Sequence, residues 1–393
     1  MSASIDLRRL QSDQELKELA AIDGWSFGTS LEDSIAWLEQ GGREHARVAA
    51  DAGRVVGGLL LIPMGQWFGG RSVPTWGVAG VGVAPEHRGR KVALELMRAA
   101  VRECAAGGVA LSTLYPATLT LYRAAGYAEA GSRFCYGARP ADLAPRAERI
   151  PVRPLVEGEE SRIDEAYSRF ARRTSGYLDR GPYIWRRVRA PRLGPAPRAF
   201  LVEVDGAIEG YVYVGERSDG TGHYDLVVTD AVALTARAGR ALLRLLWEHR
   251  SLGRTATWFG GPDHAFAALL PERSYTMALQ DHWMVRICDV AAALAARDYA
   301  PGMRAELSLD LRDEIVENNS GRWRLEVDGG RATLRRGGDG ELALDVRALA
   351  GLYTGFSSPW VLQRAGLLSG SDQVLSRAEA IFPGGSPAMA DMF

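Results

Sequence analysis

The sequence predicts a multidomain protein made of an α/β unit with a mixed sheet, a second copy of that unit, and a C-terminal α+β domain. Three observations predict this class. The 393 residues are more than one ordinary hydrophobic core holds. A hairpin, strand and helix pattern near the start recurs in the middle of the chain. From residue 290 onward, strands come first and helices follow.

Composition excludes several classes of function. Apolar residues make up 47% and charged residues 24%, which is typical of a globular protein, and the net charge of -1 predicts neither nucleic acid nor a membrane surface as partner. The scattered cysteines, Cys104, Cys135 and Cys288, predict no metal site and fit a reducing compartment. With no apolar run of membrane-spanning length and no signal-peptide core, we expect a soluble, cytoplasmic protein.

The first α/β unit has recognisable starts and stops. Ser12 with Glu15 forms a capping-box pattern at a helix start. The predicted elements are a strand at 5–7, a helix from Ser12, a helix at 30–40, two strands within 46–62, a strand at 75–83, a helix from Arg88, a strand at 109–114 and a short helix at 118–125. This order predicts an α/β unit with a mixed sheet.

A repeat follows. Residues 48–62 resemble residues 202–214, and in both places a further apolar strand leads to an arginine-containing amphipathic helix. A chance recurrence of a hairpin and a helix is the alternative, and duplication is favoured over it. From residue 290 onward, the sequence pattern predicts a helix at 290–297, strands at 303–311, 321–327, 331–335 and 341–346, and helices at 346–354 and 358–366.

These patterns predict three domains, at 1–150, 151–289 and 290–393. The predicted junctions are the proline- and arginine-rich segment 138–149 and the segment 287–294.

The segment VGVAPEHRGRKVA at 81–93 is the most informative about chemistry. A strand passes through a turn rich in arginine and glycine into a helix start, where free backbone N–H groups and the positive helix end suit a pyrophosphate. Gly82 and Gly89 permit close backbone approach. Glycine in the strand also leaves its edge open to an extended, amide-bearing ligand such as a pantetheine arm. No P-loop or Rossmann glycine motif is present.

The pattern V-x-V-x-P-E-H-R-x-R before a helix resembles the acetyl-CoA signature of the GNAT acetyltransferase superfamily, and LYRAAGY at 121–127 resembles its second block. Over nearly its full length the chain resembles the Eis (enhanced intracellular survival) family. DHWMVRI at 281–287 and a terminal aromatic residue are typical of that family. The resemblance implies a catalytic GNAT domain, a degenerate second GNAT domain, a sterol-carrier-like C-terminal domain, and a homohexamer by analogy.

The implied reaction moves the acetyl group of acetyl-CoA directly onto a primary amine, either of an aminoglycoside- or polyamine-like small molecule or of a lysine side chain. Tyr122 matches the proton donor to the CoA thiolate, and the C-terminal carboxylate of Phe393 matches the proton acceptor or the ammonium anchor. The Val83 N–H is the candidate donor to the thioester carbonyl. The implied cofactor contacts are Val81, Gly82, Val83, Arg88, Gly89, Arg90, Lys91, Val92, Ala93, Leu94, Ala117 and Thr118.

Three positions depart from the family pattern. Lys91 stands where the signature has glycine, so the loop geometry is in question. Ala117 replaces a serine that commonly contacts the cofactor. Met392 replaces an acidic residue beside the terminal aromatic, and Asp391, one place earlier, is a candidate substrate contact.

Other interpretations remain open. Phe27 and Trp37, with Trp25, are expected either to line an acceptor pocket or to pack in the core. His87 is more typical of a structural loop residue than of a general base. The second copy is expected to be a scaffold, because Asp230 at its phosphate end would repel a pyrophosphate. A cofactor-free carrier of a lipid or an amine is the non-enzymatic alternative, and thiol release from acetyl-CoA distinguishes the two.

Overall fold

The computed structural model describes residues 5–143, 150–190 and 194–393. These residues form two compact units. The first unit contains the residues up to Gln66, Arg71–Ala130 and Trp283–Gly385, and the second contains Trp67–Gly70, Gly131–His282 and Ser386–Phe393. Of the predicted junction at 138–149, residues 144–149 lie outside the described residues.

The N-terminal α/β segment largely follows the predicted order. Its elements are β1 (Asp6–Arg9), α1 (Asp13–Phe27), α2 (Leu31–Gly41), β2 (Ala46–Asp51), β3 (Arg54–Phe68), β4 (Arg71–Val83), α3 (Val92–Ala106), β5 (Leu111–Leu114), α4 (Leu119–Ala124) and β6 (Ala128–Ala138). Ser12 caps α1 through the Glu15 N–H at 3.2 Å, while the Glu15 carboxylate accepts the Gln11 N–H rather than that of Ser12. The two strands around residue 70 are longer than predicted, because Gly69 and Gly70, both at positive φ, close them into a tight hairpin.

The middle segment repeats this order. Its elements are β7 (Val152–Pro154), α5 (Glu160–Ala171), β8 (Leu178–Asp179), α6 (Pro182–Arg189), β9 (Arg198–Val204), β10 (Ala207–Ser218), β11 (Tyr224–Ala233), α7 (Ala236–Glu248), β12 (Gly253–Gly260), α8 (Ala265–Leu269) and β13 (Thr276–Ile287). In both copies a hairpin turns through two residues at positive φ, Ala52-Gly53 and Asp205-Gly206. The duplication inferred from the sequence is therefore present in the backbone.

In the C-terminal segment, helices and strands follow one another in a less regular order. Its elements are α9 (Val290–Ala296), β14 (Arg304–Arg312), β15 (Gly321–Asp328), β16 (Arg331–Arg336), β17 (Leu342–Asp345), α10 (Val346–Thr354), α11 (Pro359–Arg364), β18 (Leu368–Ser369) and α12 (Asp372–Ile381). The sequence reading did not predict α12, although Ser371 caps it and its apolar face is buried. The strands form a sheet in the order β16-β15-β14-β17-β18, in which β14 and β17 are parallel.

Each GNAT-like sheet is completed by a strand from the far end of the other copy's sequence. In the first unit the order is β1-β2-β3-β4-β5-β13, and Met284–Ile287 of β13 pairs antiparallel with β5. In the second unit the order is β6-β12-β11-β10-β9-β7, and the Phe134–Ala138 part of β6 pairs antiparallel with β12. The central pairs β4–β5 and β11–β12 are parallel, so both sheets are mixed as predicted.

Helix α3 provides the main packing face of the first copy. Its buried face packs in the core and includes Val92, Leu96, Ala100, Val101 and Cys104. Among the residues that the structure describes, no helix is both long enough and apolar enough to cross a bilayer.

Candidate active site

Strand β4 is bent near its C-terminal end, shortly before the predicted cofactor-binding loop. Gly80 has φ +61°, and a Cβ there would lie 2.3 Å from Cη2 of Trp37, so only glycine fits against that ring. The parallel pairing of β4 with β5 covers residues 75–77 and ends before Gly80. Positive φ inside a strand bends it and interrupts its ladder.

The turn after β4 is held in place by its backbone. The Ala84 N–H donates to the Val56 carbonyl oxygen at 2.9 Å, which fixes the turn to β3. Residues 85–87 then form a 3₁₀ turn, and Gly89 has φ +77°. The helix predicted from Arg88 begins only at Val92, because positive φ at residues 89 and 91 is incompatible with a helix.

Lys91 has a backbone conformation that glycine adopts without strain. It adopts a left-handed backbone with φ +63° and ψ 14° at the N-cap of α3, where no side chain caps the helix. A non-glycine residue in this left-handed region is strained. An uncapped helix start presents backbone N–H donors and the positive end of the helix dipole, which fits a pyrophosphate group.

The arginine and histidine side chains of this turn contact the end of β4 and Asp51 at the end of β2. Arg88 Nε donates to the Val83 carbonyl oxygen at 3.3 Å. Arg90 Nη1 lies 3.2 Å from Asp51 Oδ2, and His87 Nε2 lies 3.7 Å from the same oxygen. His87 therefore lies beside Asp51 in the loop.

Tyr122 lies on α4, directly after the second predicted cofactor turn. Its side chain is buried, and burial raises the pKa of its phenol to about 12. The ring meets Tyr127 edge to face, with centroids 6.3 Å apart. Tyr127 is fully buried and its hydroxyl is hydrogen-bonded to Ser112 at 2.8 Å, so it supports Tyr122 from within the core. Thr118 begins α4 without a side-chain cap, leaving N–H donors there also.

The predicted acceptor-pocket aromatics differ in exposure. Trp37 is buried against Gly80, which makes it a support of the bend in β4. Phe27, at the C-terminal end of α1, is 50% exposed, and Trp25 is 73% exposed. These two therefore present apolar surface at the helix end, whereas Trp37 packs in the core.

The chain end belongs to the second unit, as does Asp391. The Asp391 carboxylate is buried and lies 2.8 Å from Arg180 Nη2. Arg180 also binds Asp230, at 2.6 Å and 3.0 Å. Burial raises the pKa of Asp391. The sequence did not identify Arg180, because its partners lie 50 and 211 residues away and no spacing signals such a contact.

The second copy has a short connection between strand β11 and helix α7. Asp230 is not at a turn but inside β11, paired with Arg180. Only residues 234–235 separate β11 from α7, and Thr235 caps the helix through the Ala238 N–H at 3.3 Å. The start of α7 is therefore closed by its own side chain, whereas the start of α3 is not.

Three segments of the chain match known families. Residues 6–130 match a family described as acetyltransferase (GNAT) domain, and residues 176–287 match a second family of the same description. Residues 290–390 match the sterol carrier protein domain. Two GNAT domains and a sterol-carrier-like domain are thus present, as the fold indicates.

Several relatives of this chain are named as N-acetyltransferases. An uncharacterized N-acetyltransferase of Streptomyces avermitilis is 30% identical over 319 residues, 76% of each chain. N-acetyltransferase Eis of Mycobacterium tuberculosis is 28% identical over 380 residues, 91% of each chain. A GCN5-related N-acetyltransferase structure from Anabaena variabilis has a TM-score of 0.94 at 35% identity, covering 99% of this chain and 100% of that one. Eis1 from Mycobacterium abscessus shares the fold, with a TM-score of 0.79 at 24% identity over 98% of each chain. The chain therefore belongs to the Eis-like N-acetyltransferases of the GNAT superfamily and is an acetyl-CoA-dependent acetyltransferase.

Proposed function

We propose that this enzyme transfers the acetyl group of acetyl-CoA directly to a primary amine, with Tyr122 as proton donor and the Phe393 α-carboxylate as proton acceptor or ammonium anchor. The observation that carries the proposal is the uncapped start of α3 behind a left-handed loop, followed on the next helix by a buried tyrosine. Acetyl-CoA supplies the thioester carbonyl that the amine attacks.

The cofactor would be held mainly by backbone groups. The N–H groups of residues 92–94 open α3 and suit the pyrophosphate. The end of β4, bent at Gly80, suits an extended amide-bearing arm, and the Val83 N–H suits the thioester carbonyl. Arg88, Gly89, Arg90 and Lys91 line this turn, while residues 117–118 would contribute from the start of α4.

Tyr122 would hold the proton required by the departing thiolate. With a pKa of about 12, the phenol is neutral at physiological pH and can donate a hydrogen bond. An ordinary thiol is more acidic than this phenol, but desolvation in the same site raises a thiol pKa as well and brings the two closer. This environment favours Tyr122 as a hydrogen-bond donor to the sulfur. The hydrogen bond strengthens as the sulfur gains negative charge.

The proton released by the acetylated amine needs an acceptor. An α-carboxylate has an unperturbed pKa of about 3.5, which makes it a weak base in water but a good partner for an ammonium group. A Phe393 carboxylate would therefore attract the protonated amine and accept its proton directly or through water. Among acceptors, we propose small polyamine- or aminoglycoside-like molecules and lysine side chains.

The decisive experiment measures thiol release from acetyl-CoA with a panel of amines. A polyamine, an aminoglycoside and a lysine peptide would each be compared with the corresponding N-acetylated compound as a matched negative control. We expect amine-dependent thiol release, a product one acetyl group heavier, and intersecting initial-velocity lines, since direct transfer forms no acetyl-enzyme. No turnover with any amine, or parallel velocity lines with an isolable acetyl-enzyme, would contradict the proposal.

Two organisational predictions accompany it. The domain boundaries at 1–150, 151–289 and 290–393 remain predictions, which limited proteolysis tests. Assembly into a homohexamer is expected by analogy, and sedimentation equilibrium of the purified chain would measure it.

A further inference from the structure

We propose that Arg180 is a positioning residue for acetyl transfer: through Asp391 it fixes residues 386–393 in one register within the second unit. The inference rests on the catalytic role proposed above for the Phe393 carboxylate. It assigns to a buried ion cluster the task of placing that carboxylate, although Arg180 itself need touch neither substrate nor cofactor.

Residues 386–393, called the tail below, pair with strand β6 before the chain reaches the ion cluster around Arg180. Ala388 forms a parallel bridge with Ser132 on β6. The Ser132 N–H donates to the Pro387 carbonyl oxygen at 3.0 Å, and the Met389 N–H donates to the Ser132 carbonyl oxygen at 3.3 Å. These bonds set the register of the tail along β6.

Two further contacts hold the tail, one at the bridge residue and one two residues after it. The Ala388 N–H donates to the Ser175 carbonyl oxygen at 2.9 Å. Arg133 Nε donates to the Ala390 carbonyl oxygen at 2.9 Å, and its guanidinium lies 3.6 Å from the ring centroid of Phe259. The path of the tail is thus fixed as far as residue 390.

Arg180 supplies the last anchor. Its side chain is 1% exposed and sits between two carboxylates, Asp391 at 2.8 Å and 3.1 Å and Asp230 at 2.6 Å and 3.0 Å. Two carboxylates face one guanidinium, so removal of Arg180 would leave two like charges buried together. Such an arrangement is strongly unfavourable and expels one of them, and Asp391 is on the more easily displaced segment.

Aromatic side chains make the cluster rigid. The guanidinium carbon of Arg180 lies 3.6 Å from the ring centroid of Tyr167 and 4.6 Å from that of Trp185. The Tyr211 hydroxyl donates to Asp230 at 2.7 Å. Arg180 therefore has little freedom to follow a displaced tail.

Met392 and Phe393 follow this anchor. Two extended residues span at most about 7 Å, so fixing Asp391 confines the Phe393 carboxylate to a small volume. A misplacement of about 1 Å in a reacting group is enough to lower the rate on the order of 100-fold. Anchoring at Asp391 is thus sufficient to control a carboxylate two residues away.

The experiment compares tail protection with turnover in the full-length enzyme. Arg180→Met and Asp391→Asn would be tested, together with Gly261→Ala, whose new Cβ would lie 2.9 Å from that of Ala388 and displace the tail without changing the ion cluster. Arg189→Met is the matched control, because Arg189 also stacks on Trp185 but pairs with Asp164 instead of the tail. Carboxypeptidase digestion measures release of residues 389–393, and kcat is measured with acetyl-CoA and a polyamine.

We expect the three tail variants to release these residues at least about tenfold faster and to lose kcat by about 10- to 100-fold, with the KM for acetyl-CoA little changed. Arg189→Met should match the wild type in both readouts. The effect of Arg180→Met on kcat should vanish in a chain that already lacks Phe393, because the two changes act through one group.

A wild-type rate of carboxypeptidase release in Arg180→Met and Asp391→Asn would overturn the proposal. So would an equal loss of kcat with and without Phe393, since that is the result of a general structural defect. Full activity after deletion of Phe393 alone would instead contradict the proposed function, whatever Arg180 does to the tail.

Discussion

The indole ring of Trp37 lies directly against Gly80, filling the space that a side chain at that strand position would need. Gly80→Ala should therefore move Trp37 or straighten β4, weakening acetyl-CoA binding by at least about tenfold and lowering the free energy of unfolding by about 1–3 kcal/mol. Isothermal titration and urea unfolding measure the two effects.

Gly53→Ala is the matched control for that prediction. Gly53 also has positive φ, at +80°, but no atom lies within 4 Å of its would-be Cβ. The control should lower stability through backbone strain and leave acetyl-CoA affinity unchanged. Equal losses of affinity in both variants would show that strain, and not the Trp37 contact, explains the effect.

Lys91→Gly should be tolerated. Lys91 carries left-handed strain that glycine does not, so the substitution should raise the free energy of unfolding by about 0.5–1 kcal/mol. If the backbone conformation governs cofactor binding, the Kd for acetyl-CoA should change by less than about threefold. Lys91→Val, with a β-branched side chain in the same conformation, should lose both stability and affinity. A large loss of affinity in Lys91→Gly would assign the binding to the ammonium group instead.

Tyr122→Phe should lower kcat by about 100-fold while the Kd for acetyl-CoA stays near its wild-type value. The substitution removes the hydroxyl and retains the ring that packs on Tyr127. Tyr127→Phe is the control, since it loses a buried hydrogen bond to Ser112 and should reduce stability more than turnover. Unchanged kcat in Tyr122→Phe would remove the tyrosine from the mechanism.

The pH dependence of turnover follows from the raised pKa of Tyr122. A phenol with a pKa of about 12 stays protonated from neutral to mildly alkaline pH and loses its proton only near the upper value. The rate constant kcat/KM should rise with pH as the acceptor amine deprotonates, around pH 10 for a lysine-like amine, with no falling limb below about pH 11. A falling limb near pH 9 that is absent from Tyr122→Phe would contradict this.

Residues added after Phe393 should impair the enzyme. A short tag there converts the α-carboxylate into an amide and removes its charge, so kcat should fall on the order of 100-fold with acetyl-CoA binding retained. The same tag placed at the N terminus is the control. Wild-type turnover with the C-terminal tag would exclude the Phe393 carboxylate from catalysis.

The parts of this protein that could be predicted from sequence are those determined by neighbours in the chain. The turn before α3 was recognisable because glycine, proline and arginine occur together between an apolar strand and an amphipathic face. The start of α3 was predicted too early in the chain, because the sequence pattern does not show that Lys91 adopts a left-handed φ. Helix α12 was not predicted, although it begins at a serine cap and has a buried apolar face.

What the sequence did not disclose depends on contacts across long stretches of chain. Asp230 was expected at a turn and lies in a strand, because its charge is balanced by Arg180 and not by solvent. The contact between Trp37 and Gly80 joins two elements whose approach is set by packing. Burial and partner choice at such positions follow from the assembled core, which local periodicity does not specify.

Strands β13 and β6 each complete the sheet of the other copy, and this has a consequence for biosynthesis. Synthesis of β5 precedes that of its neighbour β13 by most of the middle segment, so a nascent first sheet has an unpaired edge until Met284–Ile287 leave the ribosome. An open edge is a site of intermolecular association, and large chains are most exposed to it while incomplete. Release of the polypeptide before residue 287 should therefore yield aggregating fragments, and a gene split between the two copies should not give two separately soluble proteins.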